Sequence, residues 1–124
     1  MVKTPDIEIA RVYDDATDTG RARLLVDGIW PRGVSKQELG HDDWIKDIAP
    51  STDLRKWFGH DPDKWGEFRN RYLHELRDYP HPVERCLDWC RKGPVTLLYA
   101  ARDRDHNQAV VLRDYLAQRL KGAS

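Results

Sequence analysis

Leu24-Leu25-Val26-Asp27-Gly28-Ile29-Trp30-Pro31-Arg32-Gly33-Val34 is the stretch that decides how this chain reads. Three aliphatic residues of buried-strand character run into an acid, and two glycines and a proline follow within six residues. Continuous apolar runs mark strands covered on both faces, whereas proline and glycine terminate strands. In open α/β sheets, ligands collect outside the carboxyl ends of the strands. The stretch therefore predicts a fold class and also the end of the sheet at which the protein works.

On the N-terminal side, Ile7 to Tyr13 alternates apolar and polar residues, with one slip, and reads as a strand. Asp14 to Gly20 is a turn rich in Asp, Thr and Gly, and the strand Arg21 to Asp27 follows at once. A parallel neighbour needs a long crossover, so these two strands are either antiparallel partners or not adjacent in the sheet. On the C-terminal side, Ser35 with Glu38 three residues later forms a capping box that opens a short helix, ended by Gly40. Trp44 to Ile48 reads as a short strand. Ser51 or Thr52 caps a further helix that Gly59 stops.

Asp61-Pro62 is a strong helix start, with Asp as the cap and proline in the first turn. Trp65, Phe68, Tyr72, Leu76 and Tyr79 then recur at steps of three and four, the stripe of an amphipathic helix. Pro80 ends it and Pro82 opens the next, which turns Val83, Cys86, Leu87 and Cys90 to one side. Val95 to Ala100 reads as a central strand. The turn Arg102-Asp103-Arg104-Asp105 leads into a last helix, with Ala109, Leu112, Leu116 and Leu120 inward and Val110 and Tyr115 at the margins. The order predicts a three-layer, Rossmann-like α/β domain with a small, mostly parallel sheet. It spans residues 1–124, with ends that fray over about 1–6 and 121–124.

Five Trp, five Tyr and two Phe supply anchors for a core, so the mean hydropathy of −0.79 reflects abundant charge rather than disorder. The 21 basic and 21 acidic residues cancel, which argues against a broad basic surface for nucleic acid. No stretch approaches the ~20 apolar residues of a membrane span. No leader is visible, and a cytoplasmic location is the expectation. Cys86 and Cys90 read as two reduced, partly buried thiols, since a metal site wants more ligands nearby.

Three places carry candidate chemistry. Arg32, beside Trp30 and Gly33, either binds a carboxylate or phosphate against the indole or pairs with Asp27 to secure the turn. In Asp103-Arg104-Asp105-His106-Asn107 a helix begins, so free N–H groups favour an anion and His106 is suited to move a proton. The plainer reading there is an acid-capped helix. Arg55 and His60 flank the aromatic pair Trp57-Phe58, which reads as core more readily than as a stacking platform. A metal held by His60, Asp103 and His106 has no signature spacing. There is no phosphate-cradling Gly-rich loop, no Gly-x-Gly-x-x-Gly and no Gly-x-Ser-x-Gly elbow.

Leu25 to Val34, Ala49-Pro50-Ser51, Leu54 to Pro62, Gly93 to Asp103 and His106-Asn107-Gln108-Ala109 together resemble the YeaO-like group of bacterial proteins, within domain-of-unknown-function family 488. The resemblance runs from about Arg11 to Leu116. It implies an α/β fold and no established activity. The group commonly has arginine where this chain has Gly28, which implies one anion donor fewer here. More distant members have Cys-His-Arg where this chain has Asp105-His106-Asn107, and an arginine after the Asp-ending strand. This resemblance implies a shared pocket between Arg32 and His106.

The combined expectation is an anion-accepting pocket at the strand ends. Arg32 and Arg55 supply charge, and His106 is the proton-transfer residue, oriented by Asp103. Trp30, Asp27, His60, Asn107 and Tyr72 line it. The ligand is an anionic small molecule, nucleotide-like or phosphorylated, or a nucleic-acid end. The sequence names no cofactor and no metal. The alternatives are hydrolysis or group transfer on that ligand, or a binding module for nucleic acid or protein without catalysis.

Overall fold

The computed structural model describes residues 6–14 and 20–122. Four strands, β1 (Ile7–Arg11), β2 (Ala22–Leu25), β3 (Asp43–Trp44) and β4 (Val95–Tyr99), form one sheet in the order β1-β4-β2-β3. Every pairing is parallel. The helices are α1 (Lys36–Leu39), α2 (Thr52–Phe58), α3 (Trp65–Asp78), α4 (Pro80–Lys92) and α5 (Gln108–Gly122). The protein is thus α/β with a small parallel sheet.

β4 is the central strand, and all five of its residues are buried. It pairs with β1 in the register Ile7↔Val95 and with β2 in the register Ala22↔Val95. The first two strands therefore flank β4, so of the two expected arrangements the non-adjacent one holds. They form one continuous sheet only with the last strand of the chain between them.

Side-chain alternation divides the core between the two faces. Leu24, Val26, Val95, Leu97 and Tyr99 pack with Leu54 and Phe58 of α2, Phe68, Tyr72 and Leu76 of α3, Val83, Cys86 and Leu87 of α4, and the inner side of α5. The other face carries Val12, Leu25 and Leu98, covered by Leu39 of α1 and by Trp30, Val34 and Trp44. One cover is thus a thick helical layer and the other a single turn of helix with a loop.

Local chemistry explains most element ends. Ser35 accepts the Glu38 N–H at 3.0 Å, and Gly40 closes α1 with a left-handed backbone (φ 59°). Ser51 accepts the Leu54 N–H at 3.2 Å at the start of α2. Asp61 accepts the Asp63 N–H at 3.0 Å, and Pro62–Lys64 form a 3-10 turn before α3.

Several boundaries differ from the sequence reading. The strand expected over Trp44 to Ile48 is only Asp43–Trp44, and Lys46–Ile48 is a 3-10 turn that buries Ile48. α4 opens at Pro80 rather than Pro82. Val111, not expected inside, is buried, whereas Tyr79 is 66% exposed where α3 gives way to α4. α5 continues through Gly122, so residues 121 and 122, expected to fray, are helical. Residues 1–5, 123–124 and most of the turn expected over Asp14 to Gly20 lie outside the described residues. Cys86 and Cys90 are free thiols, and burial pushes Cys90 up to about 11. No helix among the described residues is long and apolar enough to cross a membrane.

The topology makes the sheet depend on its last strand. A chain ending at Lys92, without β4 and α5, leaves β1 and β2 with no partner between them. It is expected to lack a cooperative thermal transition by circular dichroism, while residues 1–124 melt cooperatively. A cooperative transition in the shorter chain would contradict this dependence.

Candidate functional site

β2 and β4 are neighbours, but the chain leaves them in opposite directions. After β2 it runs to α1 on the thin face, and after β4 to α5 on the thick face. A crevice opens outside the carboxyl ends of adjacent strands where the connections diverge in this way. At that point there is a cleft of about 570 Å³. Its walls are Asp27-Gly28-Ile29 after β2, Ala100 to Asp103 after β4, Ala49-Pro50, Arg55 of α2, His60 and Gln108.

Asp27 joins these parts. The ladder between β2 and β4 ends with the Val26 N–H donating to Leu98 O at 3.1 Å. One residue on, the Asp27 carboxylate takes over and accepts the Ala100 N–H at 2.9 Å. Its other oxygen accepts from Nε2 of Gln108, at the start of α5. Its backbone carbonyl accepts from Nε1 of Trp44 at 2.7 Å. On the far side, the Arg11 guanidinium donates to Ala101 O at 2.9 Å and Ala100 O at 3.2 Å. A carboxylate and a guanidinium from the two flanking strands thus clamp the β4 exit between them.

Burial pushes the Asp27 carboxyl up to about 6, against the opposing pull of the Ala100 and Gln108 hydrogen bonds and the electrostatic influence of Arg55 and His60. Asp103, at the surface, is held below the usual carboxylate range, first by the backbone N–H of Asp105 and then by its bonds to His106. Arg55 is half-buried. Its Nη2 donates to Thr52 Oγ1 at 3.2 Å, and its Nε is buried with no hydrogen-bond partner among the described residues. No carboxylate of the described residues lies within ion-pair distance of it. His60 is exposed and left-handed (φ 57°), directly after the left-handed Gly59 that ends α2.

Of the residues singled out from sequence, Asp27, Arg55, His60 and Asp103 line this cleft. Asn107 and His60 border a smaller recess of about 80 Å³ behind it, against Phe58 and Phe68. Asn107 is buried and caps α5, accepting the Val110 N–H at 3.2 Å. The other expected residues lie elsewhere. Arg32 is exposed and makes no ion pair with Asp27; its carbonyl accepts from the Tyr13 hydroxyl at 3.1 Å. Trp30 turns to the thin face, edge-on to Trp44 at 5.4 Å, and donates to Val34 O. Tyr72 is in the core with its hydroxyl on Ile48 O at 2.6 Å.

His106 does not line the cleft. Its Nδ1 lies 2.9 Å from the Asp103 carboxylate and its ring meets Trp65 edge-on at 5.2 Å. The Arg32–His106 meeting expected from sequence is therefore not formed. Gln108, Gly28 and Arg102 were not singled out as wall residues. Gln108 directly follows the His106-Asn107 pair, and Gly28 directly follows Asp27, so adjacency was the available signal. Among the described residues, no group of three His, Cys, Asp or Glu side chains is arranged to hold a metal ion.

The sequence model of DUF488-N3i, described as the inactive DUF488-N3 subclade, matches residues 6–124. The chain belongs to this subclade. It is 43% identical over 111 residues to the uncharacterised protein YeaO of Escherichia coli (strain K12), covering 90% of this chain and 96% of that one. It is 44% identical over 116 residues to the uncharacterised proteins Mb3100c of Mycobacterium bovis and Rv3073c of Mycobacterium tuberculosis, covering 94% of this chain and 98% of each. No solved structure matches. The YeaO-like membership read from the motifs is thus established for this DUF488 chain.

The Asp27 carboxyl sets a pH dependence of known sign. Its folded value of about 6 is above the ordinary 3.8, so the stability it contributes is complete below 3.8 and is lost as pH rises through about 6. Asp27→Asn keeps an acceptor for the Ala100 N–H, and the Gln108 amide can turn to accept from the new amide. This variant is expected to be more stable than the parent at pH 8, by up to about 2–3 kcal/mol, and to lose the slope between pH 4 and 7. Urea titrations at pH 4.5 and 8 measure this. Equal gains at both pH values would refute the assignment.

Proposed function

We propose that this chain is a non-catalytic binding domain that holds an anionic small molecule, nucleotide-like or phosphorylated, in the cleft between the ends of β2 and β4. The observation that carries the reading is the state of Arg55. A guanidinium carries five donors and its charge is permanent. Here it lies on the wall of a cleft, with one hydroxyl contact and a buried, unpartnered Nε. Buried polar groups are nearly always paired, and an orphaned one calls for a partner, whether ordered water, an ion or a ligand. An oxyanion is the natural partner, because phosphate and carboxylate match the guanidinium fork.

The dimensions favour a small ligand. A volume of about 570 Å³ falls within the range typical of small-molecule sites, and half of the lining residues are polar: the cations Arg55 and Arg102, the acids Asp27 and Asp103, and His60 and Gln108. Equal numbers of acidic and basic residues give no broad attraction for a phosphate backbone. Binding without turnover is favoured over catalysis by the His106 imidazole, which is engaged by Asp103 and Trp65 away from the cleft wall. The description of the subclade as inactive agrees.

Thermal-shift measurements with inorganic phosphate, nucleoside monophosphates and sugar phosphates test the reading. A ligand of the native state at a hundredfold excess over its Kd adds about 2.7 kcal/mol of stability. At least one of these classes is expected to raise the melting temperature of the parent in a saturable way, and Arg55→Met to lose most of that response. The affinity should change little between 50 and 200 mM salt, whereas contact with a nucleic-acid backbone loses orders of magnitude. An equal response in Arg55→Met, or none in the parent to any class, would overturn the proposal.

A further inference from the structure

Gly28 follows Asp27 directly and faces the cleft. Its φ lies outside the left-handed region occupied by Gly20, Gly33, Gly40 and Gly59, so the backbone there does not demand glycine. The reason for a missing side chain is spatial. A Cβ at position 28 would come within 3.3 Å of Arg55 Nη1, 3.4 Å of Arg55 Cζ and 3.4 Å of the Ala49 Cβ. Among the described glycines, it is the one whose Cβ would press on other side chains.

The Arg55 guanidinium, at the end of a flexible side chain, would give way to such a Cβ and so leave this pose. The guanidinium is tethered through Nη2 to Thr52, one turn earlier on the same side of α2, and Nε is enclosed by the wall. The Arg55 guanidinium and the Ala49 methyl both border the space that a side chain at 28 would fill. From there the positive charge reaches Asp27 electrostatically without pairing with it. The guanidinium is therefore held apart from the nearest buried carboxylate and left open to a ligand.

We propose that Gly28 is a positioning residue of the cleft: by carrying no side chain it leaves the Arg55 guanidinium where it can take a phosphoryl oxyanion. This proposal rests on the anion-binding reading above and names the chemistry of the group that is bound. A side chain at 28 acts on the ligand through Arg55, by pushing the guanidinium out of the space beside position 28. Its size sets the loss: a methyl shifts the group by a few tenths of an ångström, and a branched side chain expels it.

The test is calorimetric titration of inorganic phosphate into the full chain at pH 7.5 and fixed ionic strength. The proteins are the parent, Gly28→Ala, Gly28→Leu, Arg55→Met and the double variant Gly28→Leu/Arg55→Met. A hydrogen bond to a charged group, once lost, weakens binding by about tenfold or more. The parent is expected to bind saturably, Gly28→Ala about threefold more weakly and Gly28→Leu about as weakly as Arg55→Met. The double variant should bind no more weakly than Arg55→Met, because coupled positions are not additive. Melting temperatures without phosphate report folding, and Gly28→Ala keeps the test open if Gly28→Leu does not fold. If Arg55→Met weakens binding and Gly28→Ala and Gly28→Leu bind as the parent does, Gly28 has no such role and the anion-binding reading stands. Additive losses in the double variant would also overturn the role. If the parent shows no saturable phosphate binding, the phosphoryl assignment fails; the anion reading fails with it only if the wider thermal-shift panel is also silent.

Discussion

One carboxylate holds the working end of this protein together. Asp27 accepts the first free N–H beyond β4, binds the first side chain of α5, and anchors β3 through the Trp44 indole. Strand pairing between β2 and β4 would otherwise end at Leu98 and release the Ala100–Asp103 segment. The carboxylate substitutes for a peptide carbonyl in the ladder and extends it by one rung. The cost is electrostatic: burial lifts the group to about 6, so keeping it ionised at neutral pH costs folding stability. A neutral carbonyl would do the same structural work without that cost. The acid thus brings something beyond architecture, namely a titratable group within the electrostatic reach of Arg55 and His60.

The order β1-β4-β2-β3 explains why the cleft is where it is. The last strand must enter between the first two, which puts the exits of β2 and β4 side by side. Unequal cover does the rest. The thick helical face takes α5 directly from β4, and the thin face takes the chain from β2 toward α1. The divergence leaves a gap that no core side chain fills. Arg11 and Asp27 keep the backbone at its edge fixed from both sides, so the gap has a firm wall.

Much of this was legible in the sequence where a local rule has one solution. Val95 to Tyr99 has the β-branched and apolar run of a central strand, interrupted only by Thr96, and is buried throughout. Ser35, Ser51 and Asp61 cap the elements they announce. The acid after Val26 marks the carboxyl end of β2 and the rim of the cleft. What stayed illegible is direction. Trp30 and Arg32 lie in a loop, where no periodicity says which face a side chain takes. The indole turns to the thin face against Trp44 and His41, and the arginine is left in solvent. Tyr72 obeys the helical stripe, so its phenol goes into the core with the rest. Gln108 looks like any polar residue at a helix start, and only the long-range partner Asp27 distinguishes it.

The positions of Arg55 and His106 separate two roles that sequence spacing cannot. Both belong to polar clusters beside a helix end, and both were expected in one pocket. His106 is consumed locally, since Asp103 engages both its backbone N–H and its ring nitrogen and Trp65 meets its ring at a near-perpendicular angle. Its interactions are those of a helix entry that is already satisfied. Arg55 is the converse: charged, half-buried, tethered to one hydroxyl and set beside a glycine. A folded protein tolerates such a group where its unmet hydrogen bonds are met by something other than itself. At the rim of this sheet the hydrogen-bonding capacity left open is therefore that of the Arg55 guanidinium, whereas the His106 imidazole is engaged by its own helix entry.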